Sequence, residues 1–302
     1  MPKKIYSSLL LVLALALPLP ALAQGAVVTD GAARTVTVPL HARAVVLLGS
    51  YAQAYVQAGG QLLGATEDYF TPGEDSDVLS VGAAHHPSLE GILKLDPQVV
   101  VLSNLHKEHL KIGETLTGMG IPCLYYEVTR YEQYLSMLEG FCLINETGDI
   151  YEAQRRSVAD GIQEIVDSVR QDARYGHMTC LLLRVYATGV RSKAQGTIAG
   201  EILADMGLQN IAEGQNGTDL ISMEAVMAID PDYIFLVAMG ADEQAAQDMA
   251  RRTLYDHPAW AGLSAVQNDR VYVLNKRLFH NKPNADWPQA YQWVAATVYG
   301  QP

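Results

Sequence analysis

The amino-acid sequence predicts an α/β protein built from two similar three-layer lobes with parallel sheets, joined by one long helix, with a ligand cleft between the lobes. Three observations predict this fold: one motif occurs twice, short apolar runs alternate with helical segments, and a long amphipathic stretch separates the two halves. Continuous apolar runs indicate strands that are covered on both faces, as in a parallel sheet with crossover helices. Open α/β sheets bind ligands at the carboxyl ends of their strands, which is where we expect the cleft.

The first residues are predicted to be a secretory signal peptide and not part of the fold. Lys3 and Lys4 lead into an apolar run from Leu9 to Leu17, and small residues that suit cleavage end at Ala23. The run is shorter than the roughly 20 residues that a membrane-spanning helix needs. We therefore expect residues 1–23 to be removed. Because no cysteine lies near this site, we expect a soluble periplasmic protein without a lipid anchor.

Composition and motifs disfavour several functions. The formal net charge of −12 makes nucleic acid and anionic membranes poor partners. Cys123, Cys142 and Cys180 are too few and too far apart for a disulfide framework or a zinc knuckle, although one Cys123–Cys142 bridge stays open as an alternative to free thiols. The sequence has no G-x-S-x-G, Walker, H-E-x-x-H or C-x-x-C motif. We therefore expect a protein that is not an enzyme and that has no catalytic cofactor.

Residues 24–148 are predicted to form the N-terminal lobe. It begins with a hairpin from Val27 to Val38 that turns at Asp30 and Gly31. The buried strands that follow, each succeeded by a helix-compatible stretch, are Val45 to Leu48, Leu62 to Ala65, Val99 to Leu102 and Cys123 to Tyr126.

Residues 149–175 are predicted to be one continuous linking helix. The stretch contains no proline, and its apolar residues recur at helical spacing: Ile150, Ala153, Val158, Ile162, Ile165, Val166 and Val169. At about 1.5 Å per residue this helix would run roughly 40 Å.

Residues 176–302 are predicted to form the C-terminal lobe. Its predicted strands are Thr179 to Val185, Tyr233 to Val237 and Arg270 to Leu274, and its predicted helices are Thr197 to Met206, Asp242 to Arg252 and Trp287 to Tyr299.

The repeated motif is "SLEGILKLDPQVVVLSN", which starts at Ser88, and "SMEAVMAIDPDYIFLVA", which starts at Ser222. Each serine suits a helix N-cap, and Glu90 and Glu224 fall in the first helical turn, where the helix dipole favours negative charge. The helix must stop at Asp-Pro, because proline disfavours a helical residue before it. Each copy therefore predicts a short helix followed by a buried strand.

With this repeat the chain resembles the helical-backbone solute-binding proteins of bacterial importers for iron chelates, haem and vitamin B12. The stretches "GIPCLYYEV" at Gly120, "GTIAGEILADMGLQNIAEG" at Gly196 and "PAWAGLSAVQNDRVYVL" at Pro258 add to the resemblance. It implies a monomer that closes little on its ligand and delivers it to a two-fold ABC permease with a cytoplasmic ATPase. It also implies that Glu90 and Glu224 are the points at which the permease docks.

Haem is the ligand that we expect first. A haem site needs an axial ligand from His, Tyr or Met on a cleft loop. His85 precedes the first repeated helix, and Met239 follows the second repeated strand, so we expect this pair to bind the haem iron. The remaining candidates, which would cover the porphyrin, meet a propionate or replace an axial ligand, are Tyr51, Tyr69, Phe279, Arg191, Lys282, His86 and His280.

Three other ligands remain open. A ferric siderophore would use cationic and aromatic side chains, for which the candidates are Arg184, Arg191, Lys193, Lys282, Tyr51, Tyr69 and Tyr186. Vitamin B12 would require a largely aromatic, neutral cleft. A bare divalent metal would use His106 and His109 in addition to His85 and His86.

Overall fold

The computed structural model describes residues 25–73, 76–192, 196–212, 223–240 and 242–301. The predicted signal peptide, Lys193 and Ser222 lie outside these ranges. Among the described helices, none combines the length and the apolar character that a membrane crossing requires.

The N-terminal lobe alternates strands and helices along the chain, as predicted. Its strands are β1 (Gly25–Thr29), β2 (Thr35–Pro39), β3 (Ala44–Val46), β4 (Leu62–Ala65), β5 (Leu79–Ser80), β6 (Gly82–Ala83), β7 (His86–Pro87), β8 (Val99–Ser103) and β9 (Cys123–Tyr126). Its helices are α1 (Gly49–Gln57), α2 (Leu89–Lys94), α3 (Lys107–Gly118) and α4 (Tyr131–Asn145), with a 3₁₀ turn at Glu67–Tyr69.

The second half of the chain begins with the linking helix. That helix consists of α5 (Gly148–Arg155), a π-helical segment (Arg156–Asp160) and α6 (Gly161–Val169). The strands that follow are β10 (Thr179–Tyr186), β11 (Gly189–Ser192), β12 (Gln209–Asn210), β13 (Tyr233–Ala238) and β14 (Val271–Val273). The helices are α7 (Ile198–Asp205), α8 (Met223–Ile229), α9 (Glu243–Ala250), α10 (Ser264–Gln267), α11 (Lys276–Phe279) and α12 (Trp287–Val294).

Each lobe is built on one five-stranded sheet. The N-terminal sheet has the order β5-β4-β3-β8-β9, and every pair in it is parallel. The C-terminal sheet has the order β11-β10-β13-β14, with β12 also paired to β10. The predicted α/β fold with parallel sheets is confirmed.

The C-terminal sheet departs from the prediction at one edge, where β11 runs antiparallel to β10. Only Ala187 and Thr188 separate these two strands. A two-residue connection can close a hairpin but cannot make the crossover that a parallel neighbour needs. The edge is therefore a β-hairpin that the sequence analysis did not predict.

Both sheets are covered on both faces. Along β13, Tyr233, Phe235 and Val237 pack into a large core, while Ile234 and Leu236 face a second cluster under the outer helices. The strands of the N-terminal sheet alternate in the same way between the large core and an outer cluster of their own. The large core, which we call the shared core, is one continuous cluster that contains residues of both lobes and of the linking helix. This arrangement is the predicted three-layer architecture.

The repeated motif forms a helix followed by a buried strand in both copies. In the first copy the Ser88 hydroxyl accepts a hydrogen bond of 3.0 Å from the Gly91 amide, as predicted for an N-cap. In both copies the aspartate before proline, Asp96 or Asp230, adopts a left-handed conformation, with φ of 47° and 50°. Aspartate tolerates this region better than most residues, and proline forbids the helical alternative. The Asp-Pro pair thus ends each helix.

The linking helix is continuous but shorter than predicted. The backbone stays right-handed helical through the π segment, and the helix ends at Val169, six residues before Tyr175. Beyond that point Asp172 accepts hydrogen bonds from the backbone and the guanidinium of Arg174. Such side-chain hydrogen bonds compete with the backbone hydrogen bonds of a helix. The residues after Val169 therefore form tight turns and not the last helical turns that were predicted.

Polar contacts join the lobes beside the shared core. The Arg130 guanidinium, at the start of α4, donates to Glu201 at 2.6 Å and to Asp205 at 3.1 Å on α7. Tyr291 of α12 donates to the same Asp205 at 2.6 Å. The lobes are therefore held by an apolar core and by a half-buried ion-pair network.

The three cysteines, Cys123, Cys142 and Cys180, are all buried and free. The bridge between Cys123 and Cys142 that the sequence left open is not formed in the structure.

The shared core predicts that ligand binding changes the overall shape little, because close-packed interiors do not deform continuously. X-ray scattering curves of the free protein and of the ligand-saturated protein should nearly superimpose. Arg130→Met should leave the free protein's curve unchanged, since a partly exposed ion pair contributes little compared with the core. A large compaction on ligand binding would contradict this expectation.

Candidate ligand site

The candidate site lies at the carboxyl ends of the strands, between the two lobes. The N-terminal lobe contributes Asp68 from the turn after β4 and two histidines, His85 and His106, from the loops after β6 and β8. The C-terminal lobe contributes Arg184 near the end of β10 and Lys282 after α11. The charge of Lys282 acts on His106, and the charges of Asp68 and Arg184 act on Lys282, so both lobes face one space.

Three histidines line the N-terminal side. Nδ1 of His85 lies 3.2 Å from Nδ1 of His106, and the His106 ring lies 4.8 Å from the ring of His109, centroid to centroid. His109 is fully buried: its Nδ1 accepts a bond of 3.0 Å from the Ser103 amide, and its Nε2 donates to the Ala84 carbonyl at 2.7 Å. Both nitrogens of His109 are therefore occupied, whereas His85 is exposed.

The environment of His106 keeps its imidazole neutral. Burial, followed by the neighbouring His109 and His85, lowers the pKa of His106 to about 4. A neutral imidazole at physiological pH has a lone pair available for a proton or a metal.

Asp68 is fixed by its own lobe. Its Oδ2 accepts a hydrogen bond of 2.8 Å from the Gly49 amide, and its Oδ1 accepts one of 2.6 Å from the Thr66 hydroxyl. A Cβ atom on Gly49 would lie 2.4 Å from the Asp68 carbonyl oxygen, so only glycine permits this approach. Asp68 was not among the site residues predicted from the sequence. The available signal was its place directly after the β4 strand.

The C-terminal side of the site is basic. Arg184 and Arg191 stand directly opposite each other in the β10–β11 hairpin. Their guanidinium carbons lie 5.5 and 5.7 Å from the centroid of the same ring, that of Tyr186. Neither guanidinium has a carboxylate within 4.0 Å among the described residues. Two like charges that face each other across a strand pair destabilise the free hairpin.

His280 and Lys282 extend this basic surface. Burial, and then the charges of Lys282, Arg184 and Lys276, lowers the pKa of His280 to about 4. Burial also lowers the pKa of Lys282, and Arg184 adds to that effect while Asp68 opposes it. Burial is therefore the main reason that both pKa values are lowered, and the neighbouring positive charge of Arg184 adds to it.

Three of the predicted cleft residues lie in the shared core and not in the cleft. Tyr51 is fully buried, and its hydroxyl donates to the Tyr126 carbonyl at 3.3 Å. Phe279 is buried against Trp293, with ring centroids 5.4 Å apart, and Met239 is buried too. In this conformation none of the three presents its side chain to a ligand.

The physical reason is clearest for Tyr51. Tyr51 was predicted to face the cleft, but α1 begins at Gly49, so Tyr51 and Tyr55 lie one turn apart on the buried face of this helix. Met239 follows β13 immediately, and its backbone amide still donates to the Val185 carbonyl, which keeps it in the sheet.

The other predicted residues lie nearer the surface. His86 and Arg191 are exposed, Tyr69 and Tyr186 are half-buried, and Tyr69 packs against Phe70.

The docking candidates Glu90 and Glu224 are both exposed in the first turns of α2 and α8, and Glu90 pairs with Lys94 at 2.7 Å.

A family model for periplasmic binding proteins matches residues 42–278. The chain belongs to this family. Its members bind substrates and are not enzymes, which confirms the prediction of a non-catalytic protein. The resemblance read from the repeated motif is also confirmed.

Other periplasmic binding proteins and their relatives share the architecture at low identity. The Fe(3+)-citrate-binding protein YfmC of Bacillus subtilis (strain 168) is 23% identical over 209 residues, which cover 66% of this chain and 60% of that protein. Among solved structures, Staphylococcus aureus SirA complexed with staphyloferrin B has a TM-score of 0.69 at 20% identity and covers 88% of this chain and 96% of its own.

Staphylococcus aureus IsdE complexed with heme has a TM-score of 0.73 at 16% identity, covering 85% of this chain and 99% of its own. Identities this low show the shared fold alone. The chain spans about 60% of the length of curated relatives such as the citrate-binding protein.

The neutral, partly buried His280 predicts a loss of stability in acid. An unfolded histidine titrates near pH 6.5, whereas the folded protein holds the pKa of His280 at about 4. Falling pH therefore protonates the unfolded chain first, so this contribution is complete above about pH 6.5 and is lost as the pH falls towards 4.

We expect His280→Gln to make the urea-unfolding free energy fall less steeply with decreasing pH in this window, by up to about 1.4 kcal/mol per pH unit. The exposed His257 supplies the matched control, His257→Gln. Parallel pH profiles for the parent and His280→Gln would contradict the proposed cause.

Proposed function

We propose that this protein is the substrate-binding component of an ABC importer. It captures an iron chelate between its lobes in the periplasm and, as a monomer, delivers it to a two-fold permease that is driven by a cytoplasmic ATPase. Family membership, the two-lobed fold and the charged space at the strand ends support this proposal. The predicted signal peptide supports the location outside the cytoplasm.

The ligand class that the site supports best is an anionic ferric chelate rich in carboxylates. The observation that carries this conclusion is the Arg184–Arg191 pair, which flanks Tyr186 on the cleft hairpin without a carboxylate partner among the described residues. Arginine binds carboxylates in a bidentate manner, and an anion between two guanidiniums would remove their mutual repulsion. His280 and Lys282 add hydrogen-bond donors and charge on the same side.

Titration of the purified protein with ferric citrate tests this proposal. Charge-assisted hydrogen bonds contribute about 1.5–3 kcal/mol each, so Arg184→Ala should weaken binding by roughly tenfold to a hundredfold. Arg191→Ala should act in the same direction.

The matched control is Arg270→Ala. Arg270 also lies over a tyrosine ring, 5.3 Å from the Tyr233 centroid, but at the amino ends of the strands, away from the cleft. Equal affinities in all three variants and the parent would contradict the proposed ligand class.

Haem is the second candidate, and the exposed His85 at the cleft favours it. The burial of Met239 argues against the His85–Met239 axial pair in this conformation, whereas His85 itself is accessible. Two results together would support haem over a carboxylate chelate. The haem-loaded parent would show a Soret band that changes in His85→Ala, and the parent would not bind ferric citrate.

Permease docking is proposed for Glu90 and Glu224. Both are exposed, and each starts the helix of one copy of the repeat, so the two carboxylates occupy equivalent places on the two lobes. Replacing both by alanine should leave chelate affinity nearly unchanged and reduce uptake by cells that carry the permease. If the double variant lost affinity and still stimulated the ATPase of its permease normally, the docking role would be refuted.

A further inference from the structure

We infer that His85 and His106 bind the metal of the cargo directly, and that the cargo is a metal chelate with two adjacent coordination positions left open. This inference rests on the proposed function, because it concerns the same cleft, and it goes further in naming how the metal is bound. It is carried by the geometry of the two imidazoles.

The two Nδ1 atoms are spaced as two ligands of one metal would be. They lie 3.2 Å apart. With metal–nitrogen distances of about 2.0–2.1 Å, two ligands at adjacent octahedral or tetrahedral positions are separated by roughly 2.8–3.4 Å. A metal bound to both atoms would lie off the line that joins them, so both rings must turn away from their mutual hydrogen bond to aim a lone pair at it.

The pair is also held in place before any metal binds. His106 is the N-cap residue of α3 and has a non-helical backbone, while the ring of His109, one turn further on, packs against it. Both nitrogens of His109 are bonded to backbone groups of its own lobe. His109 is therefore a positioning residue for the ring of His106.

A bare cation does not fit this site. No third histidine, cysteine, aspartate or glutamate completes a metal centre with the pair in the described parts of the chain. The charge of Lys282 acts on His106 from the other lobe, and both oxygens of Asp68 already accept hydrogen bonds. Two imidazole ligands beside a lysine favour a metal that arrives with an anionic chelator and still carries two exchangeable waters.

Binding then replaces two metal–water bonds with two metal–nitrogen bonds, and the metal keeps its oxidation state. The hydrogen bond between the imidazoles is lost. The proton that one Nδ1 carried in that bond moves to Nε2 of the same ring, so no net proton is released. The carboxylates of the chelator face Arg184 and Lys282, which links the metal site to the basic side of the cleft.

Nickel chelates test the inference with the full chain, prepared without an affinity tag. Nitrilotriacetate supplies four donors to Ni²⁺ and leaves two adjacent positions open, whereas ethylenediaminetetraacetate supplies six and leaves none. We expect the parent to bind the nitrilotriacetate complex at least about tenfold more tightly than either the ethylenediaminetetraacetate complex or free Ni²⁺. The bound Cu²⁺–nitrilotriacetate complex should show hyperfine coupling to imidazole nitrogens in its electron paramagnetic resonance spectrum, in addition to the coupling to the chelator's own nitrogen, and each histidine variant should reduce the imidazole coupling.

His85→Ala and His106→Ala should each reduce binding of the nitrilotriacetate complex by more than the roughly 10–100-fold typical of losing an outer-shell partner. His257→Ala, at an exposed histidine of the other lobe, is the matched control and should bind like the parent. The unfolding midpoints of the variants distinguish a lost metal ligand from a loss of folding, because a variant that has only lost a ligand unfolds at the midpoint of the parent.

The inference is overturned if both histidine variants bind the nitrilotriacetate complex like the parent, or if the parent prefers free Ni²⁺ or the six-donor complex. Ferric citrate binding that depends on Arg184 would then leave the proposed function standing without direct ligation. If the parent binds neither ferric citrate nor the nickel chelate, the carboxylate-rich ligand class falls together with this inference.

Discussion

The rest of the structure depends on the shared core, in which the inner faces of both sheets pack against one helix. Val158, Ile162, Val166 and Val169 of the linking helix are buried in it together with strand residues of both lobes. Burial of apolar area is the dominant favourable term in folding, so separating the lobes would expose part of this core to water. Each lobe keeps a smaller outer cluster of its own. The positions of the cleft loops are therefore set by packing far from the loops themselves.

A fixed cleft changes how its charges act. The facing arginines and the lysine belong to one lobe, where the β10–β11 hairpin and the residues after α11 bring them to the same side of the cleft. Burial is the main cause of the lowered pKa values of His280 and Lys282, and the charge of Arg184 adds to the effect in both. Like charges that face each other across the hairpin reduce the stability of the free protein.

Much of the fold followed from the sequence because local rules and global packing agree. Continuous apolar runs predicted the parallel strands, and the Ser-x-Glu and Asp-Pro signals predicted both ends of the repeated helix. The hairpin at β11 was missed because it adds an edge strand that has no long apolar run. The linking helix was predicted six residues too long because hydrogen bonds of the Asp172 side chain replace the last helical turns. The spacing of apolar residues carries no information about such side-chain hydrogen bonds.

The site was less predictable than the fold, because a loop residue faces the cleft or the core according to one or two backbone angles. Met239 directly follows β13 and Tyr51 lies in the first turn of α1, yet the side chains of both are buried. His106 was considered only as a ligand of a bare divalent metal, and only the structure shows its ring against that of His85. Sequence spacing identified the right loops and could not resolve the direction of each side chain.

The buried thiols make the fold insensitive to the redox poise of its surroundings. Only the thiolate exchanges readily with disulfides, and burial raises the pKa of Cys180 to about 12, so almost none of it is ionised at neutral pH. Cys123 and Cys142 are buried with raised pKa values as well. The chain thus reaches its native state without a disulfide to form, to shuffle or to protect, and its maturation needs no thiol oxidant.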